Sequence, residues 1–298
     1  MMAAMPERRP HLPLALLAVA ALAGSASPRG TAAEPPIRLV VRGDDMGSSQ
    51  ASNEASIRCF EDGVMRDVEV MAVGPWFPQA ARLLRENPGL DVGLHLALTS
   101  EWDNVKWRPL TAAPSLVERD GTFHPMIWPG PHYGKERALR EQPWKLDEIE
   151  RELRAQIELT KREVPQLSHL SDHMGFQALG PEVAALVKRL AAEYQLDIDP
   201  EALGVRWVGW SGKPVTSAEK VASFARVLEA LSPGTWLFVD HPALDTPEMR
   251  ASGHVGYEAV AADRQGVTDA WTSPAVREIV KHRGIELIGY KDLAGKRP

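Results

Sequence analysis

Two adjacent aspartates, Asp44 and Asp45, and four histidines, His95, His169, His173 and His241, stand where short apolar runs give way to turns. Carboxylate oxygen and neutral imidazole nitrogen are donors that zinc and similar divalent ions accept, and such an ion can polarise a carbonyl or lower the pKa of bound water. Adjacent side chains at a strand end point in different directions, so one aspartate can hold an ion while the other stays free to move a proton. His169 and His173 are four residues apart, which places them on one side of either a strand or a helix and makes them neighbours on both expectations. Each feature has a plainer account. Asp-Asp-Met-Gly (44–47) also suits a turn or helix N-cap, and a lone histidine such as His95 in an apolar strand also suits a satisfied core position. Their recurrence at successive strand ends favours a shared site. Cys59 is the single cysteine, so an intramolecular disulfide and a Cys-built zinc site are both excluded.

These residues can meet only if the strands that carry them are parallel and end on one face. Residues 37–41, 68–73, 91–98, 166–173, 204–208, 235–240 and 285–290 have strand-like patterns. Helical periods fall between them at 52–61, 78–86, 147–163, 181–194, 217–231 and 274–282. About seven β/α units predict an α/β fold: a single barrel-like (β/α) domain with parallel strands, outer helices, and all carboxyl ends at one mouth. Residues 100–146 break the rhythm with six prolines and four tryptophans and no sustained period, which predicts an ordered functional loop over that mouth.

The 298 residues are 44% hydrophobic and 25% charged, which excludes disordered, collagenous and coiled-coil classes. With 34 basic and 40 acidic residues the formal charge is −6, so a phosphate-tracking surface and a nucleic-acid partner are not expected. Arg8-Arg9, an apolar run over 12–24 and small residues beyond it have the layout of a secretory signal peptide over residues 1–33. The run is short for a bilayer span, so the domain at 34–298 is expected to be periplasmic or secreted with no stable membrane span after cleavage. Loss of three basic residues and one acidic residue with the leader moves the charge to −8.

Taken in order, five segments resemble the YdjC-like carbohydrate deacetylases, a family that includes chitooligosaccharide deacetylases and hopanoid-associated relatives. Val-Arg-Gly-Asp-Asp-Met-Gly (41–47) is similar to the family's strand running into Ala-Asp-Asp-Phe-Gly. Gly-Leu-His-Leu-Ala-Leu-Thr (93–99) and His-Leu-Ser-Asp-His (169–173) resemble its second and third metal motifs. Asp-His-Pro (240–242) resembles its Cys-His-Pro, and the segment 273–293 its closing pattern. Departures are Met46 for Phe, Ser171-Asp172 for Asp-Ser, Met174-Gly175-Phe176 where further histidines usually follow, and Asp240 for Cys.

The resemblance implies a metal-dependent hydrolase that removes N-acetyl groups from amino sugars or their oligomers and polymers. It implies that Asp45, His95 and His173 hold one divalent ion, magnesium or zinc, that Asp44 is the general base, and that His241 protonates the leaving amine or stabilises the oxyanion. Another ester or amide bond, or carbohydrate binding without turnover, are the alternatives. Nine tryptophans against six phenylalanines and four tyrosines suit a glycan partner, because flat indoles pack on sugar C–H faces. Trp102, Trp107 and Trp128 are the expected platform, with His169 also contacting substrate. A homo-oligomer is compatible with the chain, and His254 and His282, outside any motif, read as surface residues.

Overall fold

The structure is a computed structural model that describes residues 34–294, so the expected leader lies outside the described residues. Its elements alternate as β1 (Ile37–Met46), α1 (Gln50–Glu61), β2 (Asp67–Val70), α2 (Phe77–Glu86), β3 (Asp91–Leu96), α3 (Leu146–Glu163) and β4 (Leu167–Asp172). They continue as α4 (Pro181–Tyr194), β5 (Arg206–Val208), α5 (Ser217–Ala230), β6 (Gly234–Asp240), α6 (Pro247–Ala251), α7 (Val260–Thr272), α8 (Pro274–His282) and β7 (Glu286–Leu287). Every strand pairing is parallel, in the order β4-β3-β2-β1-β6-β5. β7 lies beside the start of β1 at Arg38 and Leu39, and β2 takes over that edge from Arg42 onward. Among the described residues no helix is long and apolar enough to cross a membrane.

The sheet is strongly curled. Neighbouring strands are ~4.8 Å apart, so β1 and β4 would be ~14 Å apart if the sheet were flat. Asp45 at the end of β1 nevertheless lies 3.3 Å from His173, immediately after β4. The two faces of the curl differ in chemistry. Leu39 and Val41 of β1, Val68 and Val70 of β2, and Val92 and Leu94 of β3 pack outward in one large core with residues from the helices. The alternate positions point inward. Val40, Leu237, Ile198, Val205, Ile288 and Tyr290 form a small apolar cluster there. Beside Tyr290 come Arg42, Asp67, Glu69 and His169, all buried. Strand faces therefore differ from those of a half-exposed sheet in that the polar side is buried too, inside the curl, while the apolar side packs against the helices.

Two expectations about elements change. β1 runs five residues beyond the expected strand end and carries both aspartates within it. Helix α7 is absent from the sequence pattern, because it is buried around most of its circumference and Arg264, Gly266 and Thr268 among its buried residues break the apolar period. Residues 100–146 are irregular apart from three short 3-10 turns, as their composition predicts.

Candidate active site and metal centre

Asp44 and Asp45 both reach one cavity because the strand breaks its own alternation between them. Asp45 has φ +69°, in the left-handed region, and the β1–β2 register shifts between Gly43 and Met46. Such a backbone costs about 1–3 kcal/mol and persists only where surrounding contacts over-determine it. Here they do: Ser48 donates both its backbone N–H (3.2 Å) and its hydroxyl (2.7 Å) to the Asp45 carbonyl, and Arg264 Nη2 on α7 donates to Asp45 Oδ2 at 2.8 Å.

The other carboxylate oxygen, Oδ1, is buried and has no well-formed hydrogen bond among the described residues. It faces His173 Nδ1 at 3.3 Å and His95 Nε2 at 3.7 Å. One donor atom each from Asp45, His95 and His173 lie within 4.8 Å of one another. The remaining ring nitrogens are oriented from behind, His95 Nδ1 by the Ser171 hydroxyl at 2.7 Å and His173 Nε2 by Glu101 Oε2 at 3.0 Å. An inward-facing donor on each ring with its far nitrogen fixed is the arrangement of a histidine metal site. An orphaned carboxylate oxygen between two such rings fits a divalent cation.

Electrostatics agree. Burial opposes charge on Asp45, but His241, Arg264 and His173 outweigh it and hold its carboxyl well below the usual range. Burial pulls His95 down and keeps it neutral, the ligating form. Burial also acts to lower His173, but Glu101 and Asp45 outweigh it and push the ring up to about 10. The pocket draws in positive charge, which a proton on His173 or a bound cation supplies.

Asp44 is gripped by Arg42, with Nε 2.8 Å from Oδ1 and Nη2 2.9 Å from Oδ2. His241 stands across the mouth, its side chain 37% exposed, with Nε2 3.9 Å from Asp45 Oδ2 and Nδ1 3.3 Å from Asp240 Oδ1. Burial disfavours its charge, but Asp45 and Asp240 outweigh that and raise it above the ordinary imidazole value. Asp240 is in turn held by the Trp210 indole N–H at 2.6 Å. All five residues line one cavity of about 390 Å³, together with Glu101, Trp102, Asp172, Met174, His254, Tyr257 and Arg264.

The structure separates the expected substrate residues. Trp102 lines this cavity at 3% exposure, its ring near His254 (5.8 Å, stacked) and Tyr257 (6.0 Å) and beneath the Arg264 guanidinium (5.0 Å). Trp107 corrects the expectation: it is buried outside the cavity lining, donates to the Thr99 carbonyl at 2.6 Å and backs His173 with ring centroids 6.2 Å apart. Trp128 is exposed but also outside the lining, under the Arg140 guanidinium at 4.3 Å.

His169 is a further correction. It is fully buried, bonded to Glu69 Oε1 at 2.8 Å and stacked on Tyr290. Because β4 is extended, four residues separate it from His173 by ~13 Å along the strand, whereas a helix would have kept them adjacent. With Asp67 and Asp91 it has the spacing of a second metal cluster. Both ring nitrogens, however, already face oxygen atoms, Glu69 Oε1 and Ser168 Oγ.

Arg42, Glu101 and Arg264 belong to no expected site set, and His254, expected at the surface, lines the cavity with Glu101 and Arg264. Arg42 alone left a signal: it stands two residues before Asp44 on one strand, hence on the same face.

A family model described as YdjC-like protein matches residues 38–282. The chain is 28% identical over 273 residues to a carbohydrate deacetylase from Geobacillus stearothermophilus, covering 86% of this chain and 98% of the relative. It is 31% identical over 237 residues to a carbohydrate deacetylase from Thermus thermophilus, covering 72% and 80%. A chitooligosaccharide deacetylase from Citrobacter koseri is 29% identical over 270 residues, covering 86% and 98%. Among solved structures, one from Enterococcus faecalis V583, provisionally described as a cellobiose-phosphate cleavage protein, superposes with a TM-score of 0.66 at 21% identity. It covers 87% of this chain and 99% of its own, and so has the same fold.

Proposed function

The chain belongs to the YdjC-like protein family, and from that premise we propose that it is a metal-dependent hydrolase that removes the acetyl group from an N-acetylated amino sugar or its oligomers. The observation that carries the reading is the unpartnered Asp45 Oδ1 facing His95 and His173, with a second carboxylate and a histidine at the same cavity. Relatives named carbohydrate deacetylase, matched over nearly their whole length, support the bond and the substrate class.

Asp45, His95 and His173 would hold the ion, zinc or magnesium, which when bound polarises the acetyl carbonyl and acidifies water. Asp44 accepts a proton from water as its oxygen bonds to the acetyl carbon. His241, raised by Asp45 and Asp240, then gives a proton to the sugar nitrogen as the C–N bond breaks, releasing acetate and a free amine. Arg42 keeps Asp44 from turning away, and Asp240 aims the His241 ring. His254 and Tyr257, backed by the buried Trp102, form an aromatic wall suited to the C–H face of a sugar ring.

Acetate release from N-acetylglucosamine oligomers by protein of measured metal content tests the reading. Asp44→Asn should keep its metal and lose about 10²–10⁴-fold in kcat. An Asp44→Asn protein as active as the unaltered chain would sink the proposal. We also take the chain to be exported and to act on envelope or extracellular glycans. This rests on the basic, apolar and small-residue order within residues 8–33, and N-terminal sequencing of protein from fractionated cells tests it.

A further inference from the structure

We propose that Arg42 is the positioning residue for Asp44, itself anchored from inside the curled sheet by Glu69, His169 and Tyr290; the inference rests on Asp44 being the general base. The Arg42 fork takes both Asp44 oxygens, at 2.8 and 2.9 Å, which fixes the direction of a carboxylate as well as its distance. The third guanidinium nitrogen, Nη1, donates to the Tyr290 hydroxyl at 2.8 Å and lies 3.7 Å from Glu69 Oε1. Glu69 Oε1 accepts from His169 Nε2 at 2.8 Å.

The state of His169 follows from its other side. Ser168 Oγ donates its one proton to Asp91 Oδ1 at 2.8 Å, so toward His169 Nδ1, also at 2.8 Å, it can only accept. The ring therefore carries protons on both nitrogens. This imidazolium lies flat on Tyr290, with centroids 3.9 Å apart and planes 7° apart. Gly93 makes room for the pair: a Cβ there would fall 2.3 Å from the Glu69 carboxylate and 2.4 Å from the His169 ring. The result is a continuous series of charged contacts from the sheet interior to Asp44. Well-packed apolar side chains of similar volume are often at least as stable as such buried charges, so stability alone is a weak account of the column. A fixed direction for the base is a function it can serve.

Kinetics of Arg42→Ala, Arg42→Lys and Tyr290→Phe on N-acetylglucosamine oligomers, at matched metal content, test this. Arg42→Ala should lose about 10²-fold in kcat with KM and metal content unchanged, as for a misplaced reacting group, and millimolar guanidinium should restore part of the loss. Arg42→Lys keeps the charge without the fork and should stay low, and Tyr290→Phe should show a smaller fall in kcat. If Arg42→Ala does not fold, the other two variants carry the test. Arg42 variants that hold metal and turn over at the unaltered rate overturn the proposal, and if Asp44→Asn is inactive beside them the functional reading stands. If the unaltered protein releases no acetate, the functional reading fails instead. Crystal structures of the unaltered chain and Arg42→Lys then decide: a reoriented Asp44 supports the proposal, and an unchanged one overturns it.

Discussion

The left-handed backbone at Asp45 divides labour between two residues that the chain sets side by side. Asp45→Asn should therefore lose bound metal, while Asp44→Asn keeps it, a contrast that elemental analysis of the two purified variants reads directly. Deeper in the sheet, burial opposes charge on both members of the Glu69–His169 pair, but each outweighs that for the other, holding Glu69 at about 2 and His169 at about 10. The stability that Glu69 gains by its lowered value is present above its ordinary value near 4.5 and is lost as pH falls through about 2. The stability that His169 gains by its raised value is fully present below about 6.5 and is lost as pH rises through about 10. Asp67 supports the His169 charge but is itself raised by burial to about 6, so its own contribution declines as pH climbs from its ordinary value near 3.8. His169→Gln should accordingly destabilise the protein by about 3–5 kcal/mol near pH 6, with a gap that narrows above pH 9 in thermal unfolding. The recurrence of Asp44, Asp45, His95, His173 and His241 at strand ends made their convergence on one cavity legible in the sequence. The pattern misassigns His169, because a four-residue spacing says which face a side chain takes and not how deep along the strand it lies.

Among the elements, β2 shows what patterning can and cannot tell. Asp-Val-Glu-Val alternates like a strand with one wet face, yet Asp67 and Glu69 are fully buried and the valines meet the helices. Periodicity found the strand, and only the curl of the sheet decides that its polar side is the inside. The same limit hid α7, whose buried face carries Arg264. The long segment at 100–146 was legible as an ordered covering, but its tryptophans drew attention from Glu101, the residue that holds His173. Glu101→Gln should leave the fold intact and weaken metal affinity by about 10–100-fold, measured by competition with a chelating dye.

At the scale of the molecule, β1 is flanked on one edge by β2 and β7 and on the other by β6. A polypeptide made from its N-terminus places this central strand, which ends at Met46, first and its last neighbours much later, at Gly234 and Glu286. Non-local parallel pairing is slow to form. A chain stopped after residue 233 would lack β6, α7 and β7, and with them His241 and Arg264; circular dichroism on heating should show no cooperative transition for it. The strand that bears both aspartates is thus left with one edge bare until β6 has been made. The site therefore cannot be complete before His241 and Arg264 have been made, since one follows β6 and the other is carried on α7.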